Sequence, residues 1–191
     1  MQLLLTHGAS SNRNAPLLVA LDRMLTAHDI RVVRYDLPYR QARPNGPPRP
    51  NDAERDRTGL REALEDIRKE KAGPVWLGGH SYGGRQASML VAEAPELVDG
   101  LLLLSYPLHP PGKPTQLRTA HLAKLNRPVL FVHGSKDPFG SREEMEAAIH
   151  LIPARTQLLE IENAGHDLGK DKNGTAARIS EAFLTFVTVR K

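Results

Sequence analysis

Cysteine is absent from this chain. That excludes disulfides, thiolate metal sites and a cysteine nucleophile, and it fits a reducing compartment. Long hydrophobic runs are missing as well, and none approaches the ~20 apolar residues a membrane helix needs. Met1-Gln2 leads into Leu3-Leu4-Leu5, which at once meets polar Thr6-His7. That is too short for the apolar core of a secretory signal. A cytoplasmic location with no membrane partner is therefore expected. Aromatic residues make up only 5% of the chain, with a single Trp. Basic residues exceed acidic ones, giving a net charge of +4, but the excess is scattered rather than gathered in a block. Without a basic face carrying stacking aromatics, no nucleic-acid partner is expected. No His-x-x-x-His pair or carboxylate cluster has ligand spacing, so neither a metal nor a cofactor is expected.

What is present is an alternation. At 191 residues the length suits one domain, taken as 1–191. Six short apolar runs recur: Leu3–Leu5, Ile30–Tyr35, Val75–Leu77, Leu101–Leu104, Val129–Val132 and Leu158–Ile161. They are nearly continuous, as strands buried on both faces should be. Amphipathic segments lie between them. Leu17, Leu18, Leu21 and Leu25 share one helical face, as do Leu60, Leu64 and Ile67, then Ala87, Leu90, Val91 and Ala94, then Ile179, Phe183 and Phe186. Ser141 and Glu144 form a capping-box signature for the helix before His150. A short helix is the most that residues 117–124 can hold. The pattern predicts a three-layer α/β/α fold: about six mostly parallel strands, helices on both faces and no cap domain. Ligand sites in such sheets form at the carboxyl ends of strands. From Arg40 to Asp56, prolines and a glycine argue against regular structure. This stretch leaves the end of the second strand, and reads either as a mobile Pro-rich lid over the site or as a surface loop.

Gly79-His80-Ser81-Tyr82-Gly83 follows the run Val75-Trp76-Leu77 and opens a helical pattern. This is Gly-x-Ser-x-Gly in a strand–turn–helix setting, where a sharp turn exposes the serine hydroxyl and small residues avoid collisions. A serine hydroxyl needs a base, and the base needs a group to orient it. His166 follows the last predicted strand, and Asp137 follows the fifth. Ser81, Asp137 and His166 therefore can converge as nucleophile, orienter and base. Asp167 is adjacent to His166 and cannot readily fold back on it. His80 should point away from Ser81, and His133 should brace the turn before Gly134. An oxyanion would need two N–H donors. The backbone N–H of Tyr82 is one. Ala9, in Thr6-His7-Gly8-Ala9-Ser10, supplies the other, with Ser10 next to it and counted here among the substrate contacts. Tyr39, Tyr106 and His109 lie on strand-end loops and are candidates to shape an acyl pocket. Arg85 reads as a structural ion-pair partner rather than a substrate clamp.

These residues resemble the α/β-hydrolase superfamily, in which the chain order is Ser, Asp, His. More narrowly, Arg34-Tyr35-Asp36-Leu37-Pro38-Tyr39, Gly78–Arg85, Tyr106-Pro107-Leu108-His109-Pro110-Pro111-Gly112-Lys113-Pro114 and His133–Gly140 are similar to a small dienelactone-hydrolase-like family. That family includes the domain shared by testis-expressed protein thirty and a chromatin-complex subunit of animals. The resemblance covers nearly the whole chain. It implies a minimal hydrolase core that starts at the superfamily's third strand and lacks a cap.

The expected function is a serine hydrolase acting on a small-molecule, ester-type substrate through an acyl-enzyme. The alternatives are a hydrolase-like protein-interaction domain and an acyltransferase. A nucleotide-binding reading of the glycine-rich turn is weaker, because the Lys-Ser/Thr ending of a P-loop is missing.

Overall fold

The computed structural model describes residues 1–169 and 174–188. Six strands run β1 (Gln2–Thr6), β2 (Arg31–Tyr35), β3 (Val75–His80), β4 (Gly100–Leu104), β5 (Val129–Gly134) and β6 (Thr156–Ile161). The helices are α1 (Pro16–Thr26), α2 (Pro38–Ala42), α3 (Asp52–Glu70), α4 (Tyr82–Glu93), α5 (Arg142–Ile149) and α6 (Thr175–Thr188). The strands form one sheet in the order β2-β1-β3-β4-β5-β6. Every pairing is parallel. Successive strands are thus joined by crossovers, which lay a helix on one face everywhere except between β4 and β5.

The alternation of side chains divides the core. Leu4, Val75, Leu77, Leu101 and Leu103 face the layer of α3, α4 and α5. Leu3, Leu5, Trp76, Leu102 and Leu104 face α1 and α6. The lone Trp76 is anchored edge-on by Phe183 and Phe186 of α6, with ring centroids 5.3 and 6.0 Å away. At the start of α5 the Ser141–Glu144 capping box is complete.

The sheet departs from a simple march at one place. From β1 the chain crosses to β2 on one side, and β3 then adds on the other. Between β1 and β3 the loops leave in opposite directions and open a crevice at the carboxyl ends. The expected short helix near 117–124 shrinks to a 3₁₀ turn, Leu122–Lys124. The Pro-rich stretch is more ordered than its composition suggests. Its first residues, 40–42, complete α2, which Pro38 just before the stretch opens at a first-turn position where its missing N–H costs nothing, and α3 begins at Asp52. Only residues 43–51 are irregular. Asp52 accepts from the Arg49 N–H and pairs with Arg43 and Arg55, which ties that loop to the start of α3. Among the described residues, no helix is long and apolar enough to cross a membrane.

Candidate active site

Ser81 directly follows β3 and caps α4 with φ 50° and ψ −116°. A positive φ is costly for a residue with a Cβ, and here tight packing enforces it. The Ser81 N–H bonds Leu104 O at 2.8 Å, which holds the turn to the neighbouring strand. Gly79 has no room for a side chain: an added Cβ would lie 2.5 Å from Gly84 N and 2.6 Å from the Gly83 carbonyl carbon. The helix therefore starts pressed against the strand it leaves, and the serine hydroxyl stands at the crevice.

His166 reaches Ser81 from the loop after β6. Its Nε2 is 2.7 Å from Ser81 Oγ, and its Nδ1 is 2.8 and 3.0 Å from the Asp137 carboxylate oxygens. An ionised carboxylate only accepts, so Nδ1 carries the hydrogen. Nε2 is then a lone pair aimed at the serine O–H. Asp137, not the adjacent Asp167, makes this contact. Its side chain is buried, and it also accepts from Phe139 N at 2.9 Å.

Two aromatic neighbours complete the histidine's setting, and sequence reasoning gave neither this part. The Phe139 ring stacks on the His166 ring, with centroids 4.0 Å apart and planes at 27°. His80 does not turn away from the site. Its Nε2 donates to His166 O at 2.8 Å, and the two rings lie 5.4 Å apart. Burial, ahead of other causes, pushes His80 down to about 4. His80 is therefore a neutral donor near neutral pH. The available signal was position alone: Phe139 stands two residues beyond Asp137, and His80 immediately precedes Ser81. His133 donates from Nε2 to Gly140 O at 2.7 Å and so closes the turn that carries Asp137.

The second loop at the crevice follows β1. Gly8 lets it approach closely, since an added Cβ would lie 2.8 Å from His80 Nδ1 and 3.5 Å from Ser81 Cβ. Three side chains hold its carbonyls. His7 Nδ1 donates to Gly8 O at 2.9 Å. The Tyr39 hydroxyl hydrogen is shared between Gly8 O at 3.1 Å and Ala9 O at 2.8 Å. The buried Arg40 donates to Ala9 O at 3.2 Å and Ser11 O at 2.7 Å. In a trans peptide the carbonyl and the following N–H point in opposite directions. Fixing the Gly8 and Ala9 carbonyls therefore fixes the N–H groups of Ala9 and Ser10. Among the described residues, no protein acceptor takes the Ala9 or the Tyr82 N–H.

Three expected pocket residues lie elsewhere. Tyr39 is fully buried, because its hydroxyl turns inward to the Gly8 and Ala9 carbonyls. Tyr106 is buried against Phe131 and donates to Arg118 O at 2.6 Å. His109 is buried between Pro110 O and the Glu144 carboxylate, which pins its loop to α5. All three pack loops. Ser10 does line the crevice. Arg85 corrects a further expectation: among the described residues it makes no ion pair, and its buried Nε has no hydrogen-bond partner.

Two clefts meet at Ser81. One, of about 500 Å³, runs past Ser10, Leu17, Leu18, His80 and His166. The other, of about 450 Å³, runs past Pro48, Arg85, Gln86 and Arg118. Ala9 and Phe139 border both. Among the described residues, no group of three His, Asp or Glu is arranged to hold a metal ion.

The sequence matches the family described as alpha/beta hydrolase domain over residues 1–185. Solved structures share the fold. An alpha-beta serine hydrolase homologue from Coxiella burnetii is 16% identical, with TM-score 0.74 over 97% of this chain and 84% of that one. Dienelactone hydrolase from Anabaena variabilis is 20% identical, with TM-score 0.75 over 98% and 85%. Est1E from Butyrivibrio proteoclasticus, with ferulic acid bound, is 16% identical, with TM-score 0.75 over 98% and 90%.

Proposed function

The chain belongs to the alpha/beta hydrolase domain family, and from that membership we propose that it is a serine hydrolase of small ester-type substrates. The observation that carries the reading is the continuous contact from Asp137 through His166 to Ser81, at 2.8 and 2.7 Å. Ser81 Oγ attacks the ester carbonyl carbon while His166 Nε2 takes the hydroxyl proton. Asp137 holds the imidazole tautomer and stabilises the imidazolium that forms. The carbonyl oxygen becomes an oxyanion between the N–H groups of Tyr82 and Ala9. When the tetrahedral intermediate collapses, the C–O bond to the alcohol breaks and His166 returns the proton to the departing oxygen. Water, deprotonated by His166, then attacks the acyl-Ser81, and the same steps free the acid.

Within the family we read the chain as one cap-less domain of the dienelactone-hydrolase-like kind, on the strength of the Tyr106–Pro114 segment. Ser10 belongs with the substrate contacts. Two of the similar structures fit ester chemistry: one is a dienelactone hydrolase, and another holds ferulic acid. Turnover of para-nitrophenyl esters of graded chain length tests the reading. Wild type should hydrolyse them and Ser81→Ala should lose essentially all of that rate. Equal rates in the two proteins would contradict it.

A further inference from the structure

The cleft beyond Tyr82 is built unlike the one beside His166. Arg49, Arg85 and Arg118 line it, and no acidic side chain does. Arg49 lies near Asp52, which offsets its charge. Arg85 and Arg118 have no carboxylate partner among the described residues; Arg118 makes one side-chain bond, to Pro107 O at 3.2 Å. The Arg85 Nε is buried and unpartnered. Gln86 is fully buried and lines the same cleft. Its Oε1 accepts from Arg57 at 3.0 Å, while its Nε2 has no acceptor. The cleft is therefore bordered by two guanidiniums with no carboxylate partner among the described residues, while the unpartnered Arg85 Nε and Gln86 Nε2 lie behind its wall, out of solvent.

Leaving these guanidiniums unpaired is unfavourable, because two of them in one cleft repel. Arg118 is held below the ordinary arginine value, first by burial and then by the charge of Arg85. Burial and Arg85 together push the neighbouring His121 down to about 4. A bound anion would offset that repulsion. A carboxylate suits the site, because it only accepts and its two oxygens match the guanidinium fork.

The position relative to Ser81 says which part of the substrate carries that group. Arg85 follows Ser81 by one helical turn, on the same face of α4. The alcohol oxygen of an ester must reach His166 Nε2 to receive its proton. The leaving group thus belongs in the cleft that His166 lines. The arginine cleft touches Ser81, Tyr82 and Ala9 but not His166, so it takes the acyl part. We propose that the substrate is an ester whose acyl group carries a second, free carboxylate, held by Arg85 and Arg118. This rests on the serine-hydrolase reading, and its test separates the two.

The binding arm uses the Ser81→Ala protein, which cannot turn substrate over. Monomethyl esters of the linear dicarboxylic acids from succinate to suberate are titrated calorimetrically, each against its dimethyl ester. At least one monoester should bind roughly tenfold or more tighter than its diester. Arg85→Gln and Arg118→Gln should each erase most of that preference, and Arg85→Lys should restore part of it. Equal binding across the series, or a preference that survives both glutamine substitutions, overturns the subsite. Displacement by inorganic phosphate as effective as by the monoester also overturns it, because the cleft would then take any anion. Turnover of the matching para-nitrophenyl half-ester by wild type is read separately. Binding without turnover sustains the subsite and removes the hydrolase reading.

Discussion

At the scale of single residues, the loop after β1 is held through its carbonyls. His7, Tyr39 and Arg40 point at the backs of the peptide groups whose fronts are the proposed oxyanion donors. Tyr39 therefore acts through the loop rather than on substrate. Tyr39→Phe keeps the buried ring and removes only the hydroxyl. It should lower kcat about tenfold and leave KM nearly unchanged, less than the ~10²–10³-fold seen when a donor itself is removed. Thermal melting should stay close to wild type. A change confined to KM, or none, would count against the positioning role. Sequence reasoning put Tyr39, Tyr106 and His109 in a pocket because aromatic residues on strand-end loops often contact ligands. It could not see which way each ring turns. All three hydroxyl or imidazole groups found partners within the protein: loop carbonyls for Tyr39 and Tyr106, and the Glu144 carboxylate of α5 for His109. The elbow around Ser81 was legible because its glycines answer a local steric demand that sequence records directly.

At the scale of elements, the six strands were legible because burial on both faces leaves continuous apolar runs. Their ends were not, since Gly78, Gly79, His133 and Gly134 carry the ladder onward without apolar side chains. The Pro-rich stretch misled because its prolines are clustered. Pro44, Pro47, Pro48 and Pro50 all lie in the irregular residues 43–51, while the proline-free ends of the stretch belong to α2 and α3. α6 illustrates what an amphipathic face secures. Phe183 is fully buried against Trp76, and Arg155 donates to Phe186 O at 2.8 Å. Phe183→Ala should cost about 3–5 kcal/mol of stability. Urea unfolding followed by Trp76 fluorescence measures it directly. A loss below about 1 kcal/mol would mean α6 contributes little to holding that face.

At the scale of the whole molecule, burial and charge set the response to acid. His80 and His121 both fall from 6.5 to about 4 in the folded protein, chiefly because burial disfavours their charged forms. Unfolded, each takes up its proton near 6.5. Between 6.5 and about 4 the unfolded chain therefore binds more protons, and stability drops as pH falls through that window. Above it these two groups leave stability unchanged. Urea midpoints recorded across the range should show that decline. His121→Gln, which can keep a bond to Ser88, should make it shallower. A midpoint that does not move across the window would contradict the burial account.

The central claim is that Ser81 is an activated nucleophile. Its most direct measurement is covalent labelling with a fluorophosphonate probe, which reports activation without requiring the natural substrate. Wild type should label rapidly, to one probe per chain, and both Ser81→Ala and His166→Ala should fail to label. A folded wild-type protein that takes up no probe, or one whose labelling survives in Ser81→Ala, would contradict the account.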